Sequence, residues 1–431
     1  MKKLVSIMLT AALIAVPAFA SGSKETPATP VAEQGTTASP VTIWSWDPNF
    51  NIPIMQSAID NYKMENPDVN FNIVEMSKAD CEQKLNTILA SGSKKGLPDI
   101  VLIEDYNAQK YLNSYPGKFA ELTNEFDYNT FIDNKTSYGI VDGKNYSVPF
   151  DSGVAGFFYR PSMLKMAGIA PADLENITWD QFCDLAAQYK EKTGNYFFAN
   201  SKSDGGLLRI MLQSNGDWYF NEDGSVNIKN NDSLANAMRI YKRFETEDLC
   251  YPTTGWTDWV GAINDGKVAS ITSGCWIIGY IKAGTDQSGD WALAPVPRLS
   301  EEGTNASNLG GSSWYVINES ANKDAAINFM KAEYGADNSF YQEILTNNGA
   351  IGSYKPSYTG SAYTTGDSFF GGQKVYADLA NYAQKIPSIN VGQYTYEADA
   401  AVMGNMQSYY DGTDLTKVLE SMNAQLTNQI Q

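Results

Sequence analysis

The sequence predicts an α/β protein with two lobes, and three observations lead to that prediction. The chain has 431 residues, more than one compact core usually holds, so two lobes are expected. Apolar residues make up 43% of the chain and charged residues 19%, the balance of a globular protein. After residue 40, short apolar runs alternate with stretches of helical periodicity, which is typical of sheets whose strands are joined by helices.

The alternation is clearest in the first part of the chain. Residues 41–46, 69–76 and 98–105 are short apolar or alternating runs that predict strands. Residues 52–67 and 78–92 lie between them and place apolar side chains at helical spacing. The resulting β-α-β-α-β order predicts a parallel sheet with right-handed crossovers.

Aromatic and acidic residues follow two of these predicted strands. Trp44 and Trp46 stand two apart, so a strand would point both indoles the same way, and Asp47 follows them. The third strand ends in Glu104 and Asp105. Because open parallel sheets bind ligands beyond the carboxyl ends of their strands, all five are candidate ligand contacts. Core packing for Trp44 and a solvated turn for the acidic pair stay open as alternatives.

The N-terminus predicts export. Residues 1–20 combine a basic start, an apolar stretch and small residues before a cleavage point, as secretory signal peptides do. We expect cleavage after Ala20, and Ser21 stands where a lipoprotein would carry cysteine. Residues 21–40 are rich in Ser, Thr, Pro and Ala and predict a flexible linker. The mature chain is therefore expected to be a soluble periplasmic protein without a lipid anchor or a membrane-inserted segment.

The composition argues against several classes of function. The chain has 31 basic and 49 acidic residues and a net charge of −18, which disfavours nucleic acid and anionic lipid. It contains no histidine, which removes Ser-His and Cys-His catalysis and histidine zinc sites. We expect no metal and no cofactor.

The four cysteines show no metal-binding spacing. They lie at Cys81, Cys183, Cys250 and Cys275, with no C-x-x-C pair among them. Disulfides and free thiols both remain open from the sequence.

An ordered series of segments resembles a known family. The segments "GLPDIVLIEDYNAQKYL" (96–112), "VDGKNYSVPFDSGVAGFFYRPSMLKMAGI" (141–169) and "TWDQFCDLAAQY" (178–189) are similar to the family 1 extracellular solute-binding proteins. That family supplies the receptors of carbohydrate ABC importers. The resemblance runs from about residue 41 to the C-terminus and rests on the order of the segments rather than on one motif.

The resemblance implies a periplasmic-binding-protein fold, with two α/β lobes that close on a ligand in the cleft between them. Each lobe would be a mostly parallel sheet flanked by helices. The N-terminal lobe would hold residues 41–147 and 292–334, and the C-terminal lobe residues 148–291 and 335–431. The crossings between lobes would fall near residues 148–151, 291–297 and 333–336.

The resemblance also adds candidate ligand contacts. Asp151 follows the first crossing, where the family often places a polar contact. Gly274 and Trp276 follow an apolar strand, where glycine would let the backbone approach the ligand and the indole would stack on it. Gly310 and Gly311 would expose backbone N–H groups before another indole. The remaining candidates are Trp314, Trp256 and Trp259, and for the last two packing remains an equal alternative.

Indoles, carboxylates and exposed glycine backbone match the chemistry of a sugar. A sugar ring offers one apolar face for a flat aromatic side chain and a belt of hydroxyl groups for charged acceptors. We therefore expect a monomeric receptor, and not an enzyme, that closes on a sugar or short oligosaccharide and delivers it to an ABC permease.

Two other functions remain open from the sequence alone. A receptor of the same fold for a polyamine or another organic cation would also use indole faces and carboxylates. A secreted glycoside hydrolase would need two carboxyl groups on either side of the scissile bond, and no such pair stands out.

Overall fold

The computed structural model describes residues 39–335 and 337–430. The predicted signal peptide, its cleavage point and nearly all of the predicted linker lie outside the described residues. Within them, two five-stranded sheets and a small hairpin are flanked by helices. This mixed α/β architecture confirms the predicted fold class.

The strands are short, most of them with five residues or fewer. In chain order they are β1 (Val41–Ser45), β2 (Phe71–Glu75), β3 (Ile100–Glu104), β4 (Ile140–Val141), β5 (Lys144–Asn145), β6 (Val148–Pro149), β7 (Ala155–Tyr159), β8 (Tyr196–Ser201), β9 (Cys250–Thr253), β10 (Val268–Gly274), β11 (Ala292–Ala294) and β12 (Ser312–Val316).

The α-helices cover the sheets and extend to the C-terminus. They are α1 (Asn51–Glu65), α2 (Lys78–Ala90), α3 (Asp105–Ser114), α4 (Asp133–Ser137), α5 (Pro161–Met166), α6 (Trp179–Thr193), α7 (Gly206–Ser214), α8 (Asp232–Thr246), α9 (Gly255–Asn264), α10 (Ile278–Ala283), α11 (Lys323–Tyr334), α12 (Asn338–Asn348), α13 (Ser361–Thr364), α14 (Val375–Ala383), α15 (Thr395–Tyr410) and α16 (Leu415–Ile430). Among the described residues, none of these helices combines the length and apolar character that crossing a bilayer requires.

The first sheet contains the predicted β-α-β-α-β unit. Its order is β2-β1-β3-β12-β6, and β1 pairs in parallel with β2 and β3. Strand β3 is central and buried over its first four residues, which explains its unbroken apolar run. Strand β12 returns from much later in the chain and pairs antiparallel with β3 and β6. The carboxyl ends of β1 and β3 therefore lie side by side.

The second sheet has the order β11-β7-β10-β8-β9. Strand β10 is parallel to β8 and antiparallel to β7, and β11 is antiparallel to β7. Each sheet has two parallel and two antiparallel pairs, so the expectation of mostly parallel sheets is wrong. The reason is that each sheet also receives strands from later in the chain that run in the opposite direction.

Three stretches belong to a different lobe from the one that the resemblance implies for them. The residues Val148–Pro149 pair in the first sheet, so the chain crosses after them. The strand Ala292–Ala294 pairs with β7 and belongs to the second sheet. Helix α12 packs against α1, where Phe340 and Ile344 share a core with Ile54. These stretches correct the predicted boundaries, and the other limits of the lobes stay a prediction.

The four cysteines are free thiols. Cys81, Cys183 and Cys275 are buried, and Cys250 is half-buried. The sequence left disulfides and free thiols open as alternatives, and the structure has free thiols.

A buried ion pair joins the end of β3 to the start of β12. Lys135 and Asp105 are 2% and 1% exposed, and their Nζ and Oδ2 atoms lie 2.5 Å apart. Lys135 Nζ also donates to the Ser312 carbonyl oxygen at 2.6 Å, and the Ser313 hydroxyl donates to Asp105 at 3.0 Å. Burial raises the pKa of Asp105 to about 7, although Lys135 opposes that shift. The pair holds together segments far apart in sequence.

Gly153 is expected to tolerate no side chain. It lies where the chain passes from the first sheet to the second, and an added Cβ would overlap the Leu309 carbonyl oxygen. Gly153→Ala should therefore lower the free energy of unfolding by about 1–3 kcal/mol, measured by urea denaturation. The control is Gly404→Ala, an exposed position within α15 where an added Cβ meets no atom within 4 Å. That variant should gain up to about 1 kcal/mol. Equal effects would contradict the close approach at Gly153.

Removing Lys135 should strand a buried carboxylate. Lys135→Met is expected to lower the free energy of unfolding by about 3–5 kcal/mol at pH 8. The pKa of Asp105 in the folded wild type is already about 7, so below that pH both folded proteins hold the carboxyl protonated. The penalty should therefore be smaller at pH 5 and grow as the pH rises above about 7. Chemical denaturation at both pH values measures it. Lys144→Met removes an exposed pair with Glu121 and should change little, and a similar loss there would contradict the role of burial.

Candidate functional site

A cleft of about 290 Å³ lies between elements of the two sheets. The first sheet contributes the ends of β1 and β3 and the turn before β12. The second sheet contributes Trp276, the second residue after β10, together with α7 and α9. Eight of the residues predicted from the sequence line it, namely Trp46, Asp47, Glu104, Asp151, Trp256, Trp276, Gly310 and Gly311.

Asp47 turns the chain at the end of β1. Its φ is +65°, and its carbonyl oxygen accepts from Phe50 N, which starts the turn into α1. Its carboxylate accepts from Asn49 N at 3.0 Å and lies 3.3 Å from the Tyr280 hydroxyl through each oxygen. Burial raises the pKa of Asp47, and these hydrogen bonds only partly offset the shift. Tyr280 lies in α10, so this contact joins the two sides of the cleft.

Glu104, the last residue of β3, is held by two partners. The Lys78 ammonium at the start of α2 forms an ion pair with it, and the Tyr396 hydroxyl of α15 donates to the same oxygen. Burial alone would raise the pKa of Glu104, but Lys78 and Tyr396 together bring it below its ordinary value. Glu104 therefore stays ionised at neutral pH.

Arg209 is a buried cation on the opposite side of the cleft. Its guanidinium is 2.5 Å from Asp399 and lies over the rings of Tyr106 and Tyr396, at 5.3 Å from each centroid. Burial opposes its charge, but Asp399 raises the pKa of Arg209 well above its ordinary value. Its Nε atom has no hydrogen-bond partner among the described residues.

Backbone forms the floor of the cleft. Gly310 and Gly311 have φ of +76° and +93°, which favours glycine. A Cβ on Gly311 would lie 3.0 Å from an Asp105 oxygen and 3.1 Å from the Asp151 carbonyl oxygen. Asp151 accepts from Ser312 N at 2.8 Å, and burial raises its pKa. The floor is therefore narrow and rich in acceptors.

Two indoles form the aromatic wall of the second sheet. Trp276 donates through Nε1 to the Leu309 carbonyl oxygen at 2.9 Å, which fixes its ring. Trp256 lies 5.6 Å from it between ring centroids and is 48% exposed. Gly274 does not line the cleft, but a Cβ there would overlap Trp276 Nε1. The predicted role of Gly274 was to let the backbone approach the ligand. In the structure its missing side chain leaves room for the Trp276 indole instead.

The other four predicted residues lie outside the lining. Trp44 and Trp314 are 2% and 0% exposed and pack in two hydrophobic cores, so their indoles cannot reach a ligand in the cleft. We expected a strand to point Trp44 and Trp46 the same way. Strand β1 ends at Ser45, so Trp46 lies beyond the strand and that expectation does not apply to it. Trp259 donates to the Ala199 carbonyl oxygen, and Asp105 is enclosed by Lys135. For the residues that do line the cleft, contact with a ligand stays a prediction.

The sequence analysis missed half of the lining. One signal was available, because Arg209 is a charged residue within the otherwise largely apolar helix "GLLRIMLQS". Lys78 follows the helix cap Ser77 and gave no such signal. The missed residues are Phe50, Asn51, Lys78, Asp204, Gly206, Arg209, Leu309 and Ser312.

Sequence comparison finds relatives among binding proteins. A "Lactose-binding protein" of Rhizobium radiobacter is 49% identical over 395 residues, 91% of this chain and 94% of its own length. An "Arabinooligosaccharide-binding protein" of Halalkalibacterium halodurans is 22% identical over 355 residues, 80% of this chain and 79% of its own.

Solved structures share the fold. The GacH receptor of Streptomyces glaucescens, solved unliganded and with acarbose, has a TM-score of 0.75 at 19% identity and covers 89% of this chain and 96% of its own. A binding protein of B. animalis subsp. lactis in complex with β-1,6-galactobiose has a TM-score of 0.74 at 22% identity, covering 90% and 96%. The family model described as bacterial extracellular solute-binding protein matches residues 57–346. With more than half of its length matched, and with a near relative over nine-tenths of it, the chain belongs to the bacterial extracellular solute-binding proteins.

Proposed function

We propose that this chain is an exported receptor that binds a neutral sugar or short oligosaccharide and delivers it unchanged to an ABC import permease. The observation that supports it most is the meeting of Trp46 from one sheet with Trp256 and Trp276 from the other, beside carboxylates, in one cleft. Relatives named for lactose and for arabinooligosaccharides favour the same class of ligand. Cleavage after Ala20, a periplasmic location and a monomeric state belong to this proposal.

The indoles suit the apolar face of a sugar ring. Trp276 is fixed by its hydrogen bond to Leu309, so stacking on it requires little further ordering of the side chain. Trp46 comes from the opposite side, and a flat ligand between them would bury apolar surface on both faces.

The charges in the cleft favour a neutral ligand over an anion. Lys78 is paired with Glu104 and Arg209 with Asp399, so both cations are compensated before a ligand arrives. Asp47 and Asp151 accept hydrogen bonds from neutral groups and retain acceptor capacity for hydroxyl donors. The carboxylates would suit a polyamine as well, and it is the relatives named for sugars that favour the neutral ligand.

The carboxyl groups are poorly suited to glycoside hydrolysis. Such an enzyme needs a carboxylic acid whose raised pKa keeps it protonated beside the leaving oxygen. The pKa of Glu104 is shifted in the opposite direction. Burial raises the pKa of Asp105, but this carboxyl is enclosed against Lys135. Burial also raises the pKa of Asp47 and Asp151, but each accepts a backbone N–H hydrogen bond that favours its ionised form. Binding without chemistry is therefore the function that we propose.

Contacts across the cleft suit closure of the two lobes on a ligand. Tyr280 reaches Asp47 and Tyr396 reaches Glu104, in each case from an element outside the first sheet. Lys110 of α3 also pairs with Glu397 of α15. A ligand that binds both sides shifts the population towards the closed form, which the permease would recognise.

Removing one indole should weaken sugar binding. Trp276→Ala and Trp46→Ala are each expected to lower sugar affinity at least tenfold, about 1.4 kcal/mol, because each loses stacking area. Isothermal titration calorimetry measures it, after a melting-temperature screen of neutral sugars, uronic acids and polyamines has found the ligand. Tyr115→Ala, a half-buried aromatic outside the cleft, is the control and should bind as the wild type does.

Two outcomes would contradict the proposal. One is a rise in melting temperature with polyamines and none with neutral sugars. The other is the release of sugar products at enzymatic rates when the chain is incubated with oligosaccharides.

Sugar affinity is expected to fall as the pH is lowered. Burial raises the pKa of Asp47, so this acceptor should become protonated at a higher pH than an exposed aspartate, which titrates near 3.9. Affinity should therefore decline as the pH is lowered, and the decline should begin at a higher pH than an exposed aspartate would cause. Calorimetry from pH 8 to 4 measures this, and Asp47→Asn should lose affinity and flatten part of the decline. A decline of the same size in that variant would exclude Asp47 as its source.

A further inference from the structure

An ion pair outside the cleft joins a helix of the first sheet to a helix of the second. Lys110 lies in α3, which packs against β3, and Glu397 lies in the first turn of α15. Helix α15 packs against α8, which packs against α6, the helix that covers β8. The two residues are 287 positions apart in the sequence. The pair therefore forms only where the fold brings α3 and α15 together.

The ion pair lies beside an aromatic contact between the same two helices. Tyr106 stands four residues before Lys110, so both side chains are on one face of α3. Tyr396 precedes Glu397, and its ring meets the Tyr106 ring edge to face at 6.4 Å between centroids. Tyr106 is 1% exposed, whereas the side chains of the ion pair are 41% and 20% exposed. An enclosed aromatic contact and a partly exposed ionic one thus join α3 to α15.

The ion pair takes no part in lining the cleft. Among the described residues, those that line it include Glu104 but neither Lys110 nor Glu397. Within the same part of the chain, each of the two charges has the other as its ion-pair partner. Separation of the lobes would move α3 away from α15 and return both charges to water.

A contact made only in the closed form adds to ligand affinity without meeting the ligand. The affinity of a ligand that closes the lobes includes the free energy of closing them, so whatever stabilises the closed form tightens binding. A partly exposed ion pair stabilises only weakly, and dissolved salt screens it. Its contribution to affinity should therefore be small and sensitive to salt.

We propose that Lys110 and Glu397 form a latch between the lobes. The latch tightens sugar binding by stabilising the closed form, and it makes the affinity for an uncharged sugar fall as the ionic strength rises. It acts on closure and not on the ligand, so its effect is the same for every sugar that closes the lobes. This inference rests on the proposed function, since it requires that sugar binding closes the lobes.

The first test removes the charges on the mature chain. Lys110→Met and Glu397→Gln should each lower sugar affinity about two- to fivefold, because each loses the same weak pair. The double variant Lys110→Met/Glu397→Gln should lose no more than either single variant. The loss should appear as faster dissociation. Calorimetry and stopped-flow tryptophan fluorescence measure affinity and rates, with lactose, galactose, maltose, maltotriose and glucose as probes.

The second test exchanges the charges. Lys110→Glu places two carboxylates together and should lower sugar affinity about tenfold. The double variant Lys110→Glu/Glu397→Lys restores an ion pair of reversed polarity and should return the affinity to within about twofold of the wild type. A role of either side chain in packing alone would not give this recovery.

The third test changes the salt. Raising sodium chloride from about 20 mM to about 500 mM should lower the affinity of the wild type about two- to threefold and leave that of Lys110→Met nearly unchanged. Lys144→Met is the matched control, because it removes an exposed ion pair with Glu121 on the side of the first sheet alone. That variant should bind as the wild type does and keep its salt dependence.

The outcomes separate the latch from the function that it rests on. Unchanged affinity in both single variants, losses that add in the double variant, or a charge exchange without recovery would overturn the latch and leave a sugar receptor in place. An equal salt dependence in Lys110→Met would also overturn it. No binding of any of the five sugars, with an unchanged melting temperature, would overturn the proposed function and the latch with it.

Discussion

The floor of the cleft depends on the buried ion pair between Lys135 and Asp105. Three segments meet there, because Asp105 begins α3, Lys135 lies in α4, and the Ser312 carbonyl oxygen at the start of β12 accepts from Lys135. Asp105 N donates to the Gly311 carbonyl oxygen at 3.0 Å. Replacing both residues of a buried ion pair by apolar ones can cost little stability. Removing one of them leaves the other charge buried without a partner, which is strongly destabilising. The pair therefore fixes the glycine turn at which the backbone faces the cleft.

The part of the site formed by neighbouring strands was predictable from the sequence. Strands β1 and β3 are adjacent and parallel, so the residues after them must emerge at one edge. Trp46, Asp47 and Glu104 lie in the cleft for that reason. The apolar run of β3 and the helical stripes of α1 and α2 are local patterns, which explains why this unit was also predicted correctly.

The remainder depends on contacts between segments far apart in sequence. Tyr396 and Glu104 are hydrogen-bonded although they lie 292 residues apart in the sequence. No local sequence pattern predicts such a contact. Trp276 and Trp314 show the same limit, since both follow glycines near a strand. Trp314 lies within β12 and faces the core, whereas Trp276 follows the end of β10 and faces the cleft. Whether such a tryptophan faces the core or the cleft depends on the path of the backbone at the end of the strand. The residue types do not reveal that path.

Both cations of the cleft are matched by carboxylates of the protein before a ligand arrives, Lys78 by Glu104 and Arg209 by Asp399. Lys78 lowers the pKa of Glu104, whereas Asp47 has no cation beside it and burial raises its pKa. An anionic ligand would have to displace one of the carboxylates that pair with Lys78 and Arg209 and leave that carboxylate buried alone, which is costly. Hydroxyl groups disturb neither pair and add donors to carboxylates that still have free lone pairs. The proposed binding of a sugar rather than an anion thus fits the pairing of both cations, and the indoles supply apolar area for the sugar ring.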